Sequence, residues 1–306
     1  MELAVDIVIG MMLAATPLLF AALGELVVER AGVLNLGVEG MMIVGAIAGF
    51  VVTAETQSHL LGVLIAAGAG TAMALIFGVM TQILLANQVA TGLALTIFGL
   101  GLSALLGLGY SGYSVPAMPR LEIGGLSDMP LLGPLFFAHE ALFYLSIVMV
   151  IAIAWFLNDT RAGMILRAVG ENHDAAHAIG FPVVRVRMLA IMFGGAMAGI
   201  GGAYLSIART PLWSEGMTAG RGWIALAIVV FASWRPGRAM AGAYLFGGVT
   251  VAQLHIQGAG VDIPAQYLSM LPYLATIVVL VLISRGRGAR ALGAPGSLGR
   301  IFHASR

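Results

Sequence analysis

The sequence contains no cysteine and no lysine, and charge of either sign is scarce. Without cysteine there is no disulfide, no thiolate nucleophile and no cysteine-based metal site. All 15 basic residues are arginine. That excludes a P-loop, whose lysine must reach nucleotide phosphates, and it excludes lysine Schiff-base chemistry. Charged residues make up 9% of the chain, where a soluble domain carries about 25%. A water-soluble globule of 306 residues does not cover itself with so few charges. The net charge of +1 leaves no basic stripe for nucleic acid. What is abundant is apolar, 60% of all residues, and the composition is that of a polytopic membrane protein.

A helix crossing the roughly 30 Å hydrocarbon layer takes about 20 mostly apolar residues. Such stretches lie near 3–23, 41–54, 60–85, 89–109, 141–157, 188–208, 222–234, 238–257 and 266–284. The expectation is an all-α polytopic membrane protein with about nine transmembrane helices. Glu2 and Asp6 stand where a signal peptide would be positive, so the first run reads as a span. Residues 1–284 read as one transmembrane domain with an inner loop at 158–187 and an outer loop at 110–140. Residues 285–306 form an Arg/Gly-rich tail.

Short cytoplasmic loops collect basic residues. Arg285, Arg287, Arg290, Arg300 and Arg306 place the tail inside the cell, as do Arg161, Arg167, Arg185 and Arg187 for 158–187. The turn carrying Arg235 and Arg238 falls on the same side, and counting back puts the N-terminus outside. Glycine is frequent within the spans; Gly195 and Gly199 form a GxxxG that Ala198 and Gly202 continue, the pattern of closely packed helices.

One segment is too polar for lipid. Between the first two spans stand Glu25, Glu29, Arg30, Asn35 and Glu39, with Gly32, Gly37 and Gly40 interrupting the helical pattern. Each charge at mid-bilayer costs about 2.5–3.5 kcal/mol on insertion scales. Either this is a short cytoplasmic loop, or it is a discontinuous segment near 24–40 lining a water-filled path. After the sixth span, Glu215, Gly216 and Met217 echo Glu39, Gly40 and Met41, as an internal two-fold repeat would.

Residues 158–187 read as short helices punctuated by Gly170 and Gly180 and ended by Pro182, with an alanine-rich exposed face suited to a partner's groove. His173 and His177 stand four apart without a third ligand, so a solvated face is preferred to a metal site. Glu122, Asp128 and Asp262 fall in outer loops and read as solvated. No catalytic constellation is visible.

The run GVLNLGVEGMMIVGA (32–46) resembles the signature of integral-membrane permeases in the branched-chain amino-acid and simple-sugar importer group of ABC transporters, closest to the nucleoside-uptake branch. LRAVGENHDAAHAIGF (166–181) is similar to that family's coupling loop, and GRGWIALAIVVFASWRP (220–236) to a further shared block. The resemblance implies an ATP-driven importer for nucleosides, with an ABC ATPase subunit, a second, non-identical permease chain and an outer substrate-binding lipoprotein as partners. This chain would be multi-pass in the bacterial cytoplasmic (inner) membrane, in contact with membrane lipid, its C-terminus cytoplasmic. It would bind no cofactor itself, the ATP and Mg being used by the ATPase, and have no catalytic or metal residues. Asn35, Gly37, Glu39 and Gly40 would lie at the substrate path; Glu171, Asn172, Ala175, Ala176 and Gly180 would form the ATPase-coupling helix. His173 stands where the family often has a Pro or a similar helix starter. The alternatives are a permease for branched-chain amino acids or simple sugars, or a stand-alone ion-coupled secondary transporter.

Overall fold

The computed structural model describes residues 2–122, 133–258 and 293–303, together with 124, 127, 129 and single positions between 267 and 281. Among the described residues ten α-helices run in chain order: α1 (Glu2–Arg30), α2 (Val38–Thr56), α3 (His59–Gly78), α4 (Gln88–Gly107), α5 (Ala141–Asp159), α6 (Arg161–Glu171), α7 (His173–Ala178), α8 (Val183–Ala203), α9 (Arg221–Phe231) and α10 (Pro236–Gly258). Wide π-helical turns carry α3 to Ile83 and α8 to Arg209. The connection between α4 and α5 adds an antiparallel pair of short strands, β1 (Arg120–Glu122) and β2 (Ala138–Glu140), and an isolated bridge joins Ser114 to Leu212.

Local chemistry sets the helix starts. Ser58, Asn87, Thr160 and Asn172 each precede a helix, and each side chain accepts a backbone N–H of the first turn. Gly170, expected as a break, lies inside α6, and the break falls at Asn172 instead. Pro182 does not end a helix but opens α8, where the missing N–H costs nothing. Arg185 and Arg187, expected in a loop, therefore belong to α8.

Among the described residues seven helices, with their extensions, are long and apolar enough to cross a membrane. The chain is a mostly helical, multi-pass membrane protein. The apolar run 222–234, expected as a full span, is the short helix α9 of 11 residues. At 1.5 Å per residue it covers about 16 Å, half the hydrocarbon thickness. The run 266–284 lies almost wholly outside the described residues.

The core is α1, α2, α3 and α8, which meet through glycines. A Cβ on Gly202 would run into the carbonyl of Met42, one on Gly199 into that of Ala66, and one on Gly195 into that of Gly70. Backbones thus touch where lipid offers no hydrophobic drive to bring helices together. Gly201 lies against the Pro17 carbonyl and Met42, placing Met42 level with the middle of α1. Gly202→Ala should lower the stability of the detergent-solubilised protein by about 1–3 kcal/mol, the cost of overpacking. Gly68, with nothing within 4 Å of an added Cβ, is the control. Thermal midpoints of the two variants should separate, and equal midpoints would show that the close approach does not carry the packing.

Candidate functional site

Glu25, Glu29 and Arg30 do not form a loop. They are the last turns of α1, and both carboxyl groups are 1% exposed. The interruption contracts to residues 31–37, and Gly40 sits inside α2 as a contact for Leu95 and Thr96 of α4 rather than as a break. The segment is enclosed by protein. Asn35 is fully buried, its Oδ1 accepting the Gly37 N–H at 2.9 Å, while its own N–H donates to Glu25 Oε1 at 3.1 Å. Gln88 Oε1 accepts the Leu34 N–H at 2.8 Å, and Thr96 Oγ1 donates to the Leu36 carbonyl at 3.1 Å. The irregular backbone is satisfied because side chains from α1 and α4 replace the missing helical bonds. One carboxyl oxygen of Glu25 remains buried without a partner.

Glu39, in the first turn of α2, holds the second interruption. Its Oε1 accepts from Thr218 Oγ1 at 2.6 Å and from the Gly220 N–H at 2.8 Å, and its Oε2 accepts from the Gly222 N–H at 2.6 Å. Residues 218–222 are the start of α9, which has no side-chain cap of its own. The carboxylate thus supplies the cap from another helix and meets the positive end of the α9 dipole. Gly222 allows the approach, since a Cβ there would reach Glu39 N at 2.5 Å. The far end of α9 is also tied: Trp234 Nε1 donates to Glu29 Oε2 at 2.6 Å, and Arg30 donates to the Trp234 carbonyl.

Beside this clamp lies a cavity of about 730 Å³ between α1, the end of α8, residues 217–224 and α10. Its walls are apolar at Leu13, Pro17 and Phe246 and polar at Arg209, Thr210, Thr250 and Gln253. Asn35, Gly37, Glu39 and Gly40 do not line it; Ala219 and Arg221, held in place through Glu39, do. The sequence signal for the polar wall is slight, a few hydrogen-bonding side chains within apolar runs.

The expected coupling helix is α7. Glu171, Asn172, Ala175 and Gly180 are exposed, as is Ile179, 71% accessible, whereas Ala176 is buried against Val169, Val183 and Phe302. Gly180 adopts φ +92°, a left-handed turn that suits glycine. The surprise is the chain end. Residues 296–302 strap α7 to the body: the Ser297 N–H donates to the Gly170 carbonyl, Ser297 Oγ accepts the His173 N–H, and the Gly299 N–H donates to the Gly32 carbonyl. Phe302 stacks edge-on against both His173 and His177. Nothing local in Gly296, Ser297 or Phe302 announces this.

Arg187, fully buried, joins these parts. It donates to the carbonyls of Ala31 and Arg300, to Gln82 Oε1 and to His173 Nδ1 at 3.1 Å. A guanidinium only donates, so Nδ1 is the acceptor and the ring is neutral with its proton on Nε2, facing Asp174 at 3.6 Å. Burial, then the Arg187 charge, push the His173 pKa below its ordinary 6.5, against an opposing pull from Asp174. A lowered histidine pKa means the folded form binds fewer protons, so this contribution is complete above about pH 6.5 and falls as the pH drops below it. Acidification from pH 7.5 to 5.5 should therefore loosen α7, read as faster amide exchange over 171–180, and His173→Gln should flatten that dependence. Equal pH dependence in both proteins would remove His173 as the cause.

In a comparison with known protein families, residues 7–281 match the permease component of branched-chain amino acid transport systems. The chain is 45% identical to the putative glucose ABC transporter permease protein of Haloferax volcanii, covering 87% of this chain and 88% of that one. It is 33% identical to the nucleoside ABC transporter permease protein of Lactococcus lactis subsp. cremoris, over 90% and 91% of the two chains. It is also 33% identical to the guanosine ABC transporter permease protein of Bacillus subtilis, over 92% and 93%. With buried broken segments beside a polar cavity and a match along nearly its whole length, the chain belongs to the family of branched-chain amino acid transport system permeases, the membrane-spanning components of ABC transporters.

Proposed function

We propose that this chain forms half of the translocation path of an ATP-driven importer for nucleosides. The observation that carries this reading is the cavity of about 730 Å³ beside the Glu39 clamp. Small-molecule sites of about 300–1,000 Å³ combine apolar walls with a few polar groups. Here Phe246, Leu13 and Pro17 offer a face for a base, while Thr210, Thr250 and Gln253 offer hydrogen bonds to hydroxyl groups. The substrates named for two relatives support the same reading. A simple sugar is the second reading, favoured by the glucose named for the 45% identical relative.

Asn35, Gly37, Glu39 and Gly40 act from behind the cavity: they fix the two broken segments whose displacement opens or closes the path. The shared pattern of a break followed by a helix, 31–37 before α2 and 210–220 before α9, supports an internal two-fold repeat. The break at 210–220 and α9 together make an eighth crossing, a ninth within 266–284 completes the count, the whole of 1–284 acts as one transmembrane domain, and 285–306 is the tail. Energy comes from a separate ABC ATPase that uses ATP and Mg and docks on the exposed face of α7, with Glu171, Asn172, Ala175 and Gly180 in the contact and Ala176 packing its inner side. A second, non-identical permease and an outer substrate-binding lipoprotein complete the assembly in the bacterial cytoplasmic membrane, with the arginine-bearing end inside.

Uptake of labelled guanosine by the reconstituted assembly should require this chain and ATP, and should be competed by nucleosides more than by glucose or leucine. Stronger competition by glucose would establish the sugar reading, and uptake without an ATPase would establish an ion-coupled transporter. Ala175→Arg and Gly180→Trp should each abolish uptake, by more than about tenfold, while the protein stays inserted. Retained uptake in both would remove α7 as the docking element.

A further inference from the structure

Four arginines converge away from the proposed path. Arg30 at the end of α1, Arg167 on α6 and Arg235 and Arg238 at the start of α10 line one cavity of about 630 Å³, together with Leu157, Asn158 and Trp234. Among the described residues none of the four has a carboxylate within salt-bridge distance. Arg30 donates to the carbonyls of Trp234 and Gly293, and the Nε of Arg167 is buried with no partner. Of the neighbouring acids, Glu29 Oε2 accepts Trp234 Nε1, and Glu171, whose charge acts on Arg30 without reaching salt-bridge distance, accepts the Gly296 N–H at 3.3 Å. The residues outside the described set add only Asp128 and Asp262, on the expected outer loops. Like charges so arranged repel unless an anion sits among them.

The surroundings specify which anion. On the other side of the last turns of α5 runs an apolar groove of about 490 Å³, lined by Ile153, Phe156, Leu166 and Phe193. It opens outward at Trp155 and Leu189, which are 62% and 66% exposed on helices of membrane-spanning length. A basic cavity and an apolar groove sharing one helix end match an amphiphile with a charged head. Planar guanidinium groups suit phosphate oxygens, which accept two parallel N–H bonds.

We propose that the arginine cavity binds the phosphate of an anionic phospholipid whose acyl chain follows the α5–α8 groove. The test titrates the purified full chain, in neutral detergent, with phosphatidylglycerol or phosphatidylcholine and reads bound lipid by native mass spectrometry. Phosphatidylglycerol should be retained selectively. Arg238→Gln should weaken it about fivefold and Arg167→Gln with Arg238→Gln about thirtyfold, since a basic residue near an anionic surface is worth about 1 kcal/mol. Phosphatidylcholine retention should not change. Equal retention of the two lipids, or unchanged affinity in Arg238→Gln and in the double variant, overturns the proposal. Millimolar inorganic phosphate displacing the lipid completely would reassign the cavity to a soluble anion. Arg238 is exposed, so its single variant keeps the test decisive if the double variant fails to fold.

Discussion

The rest of the structure depends on one carboxylate placed where a membrane protein can least tolerate it. Glu39 sits about one turn from Met42, level with the middle of α1, and accepts three hydrogen bonds from the start of α9. A half-length helix cannot exist in hydrocarbon with four free N–H groups at its end. A charge cannot stand there alone either. Each makes the other possible, and together they fix the wall of the polar cavity at Ala219 and Arg221. The glycines follow from this constraint, because Gly222 and Gly40 must lack side chains for α2, α4 and α9 to come within reach.

A second set of polar contacts runs from the break at 31–37 to the surface. The break at 31–37 ends on Ala31, whose carbonyl is held by Arg187; Arg187 holds His173 of α7; and the chain end closes over both. Buried hydrogen bonds thus connect α7 to the broken segment without a gap. In the proposed importer that continuity lets nucleotide binding in a separate ATPase bias the path, and it can do so only to the extent that the two states differ in free energy of nucleotide binding.

Much of this was legible in the residues. Apolar runs marked α1 to α5, α8 and α10, because a helix in lipid must satisfy its own backbone and so writes its length as an uninterrupted run. The oddity of Glu25, Glu29, Asn35 and Glu39 was equally legible, since charge in an apolar chain needs a reason. The form of the answer was not. Gly40 looked like a break, yet it is a contact, because local propensity does not distinguish a glycine that bends a chain from one that admits a neighbour. Arg187 looked like a loop arginine because its partners, two backbone carbonyls and the neutral side chains of Gln82 and His173, carry no opposite charge to mark a pairing in the sequence. The strap at 296–302 rests on the backbone N–H groups of Ser297 and Gly299, the Ser297 hydroxyl and the Phe302 ring, none of which stands out in composition.

Glu39 holds the start of α9 inside the protein. The most direct measurement is amide hydrogen exchange at Gly220 and Gly222 in the wild-type chain and in Glu39→Gln. With both amides bonded to Glu39, exchange should be slow at each in the wild type and fast in the variant, while α2 and α8 stay protected. Fast exchange at both amides in the wild-type protein would contradict it.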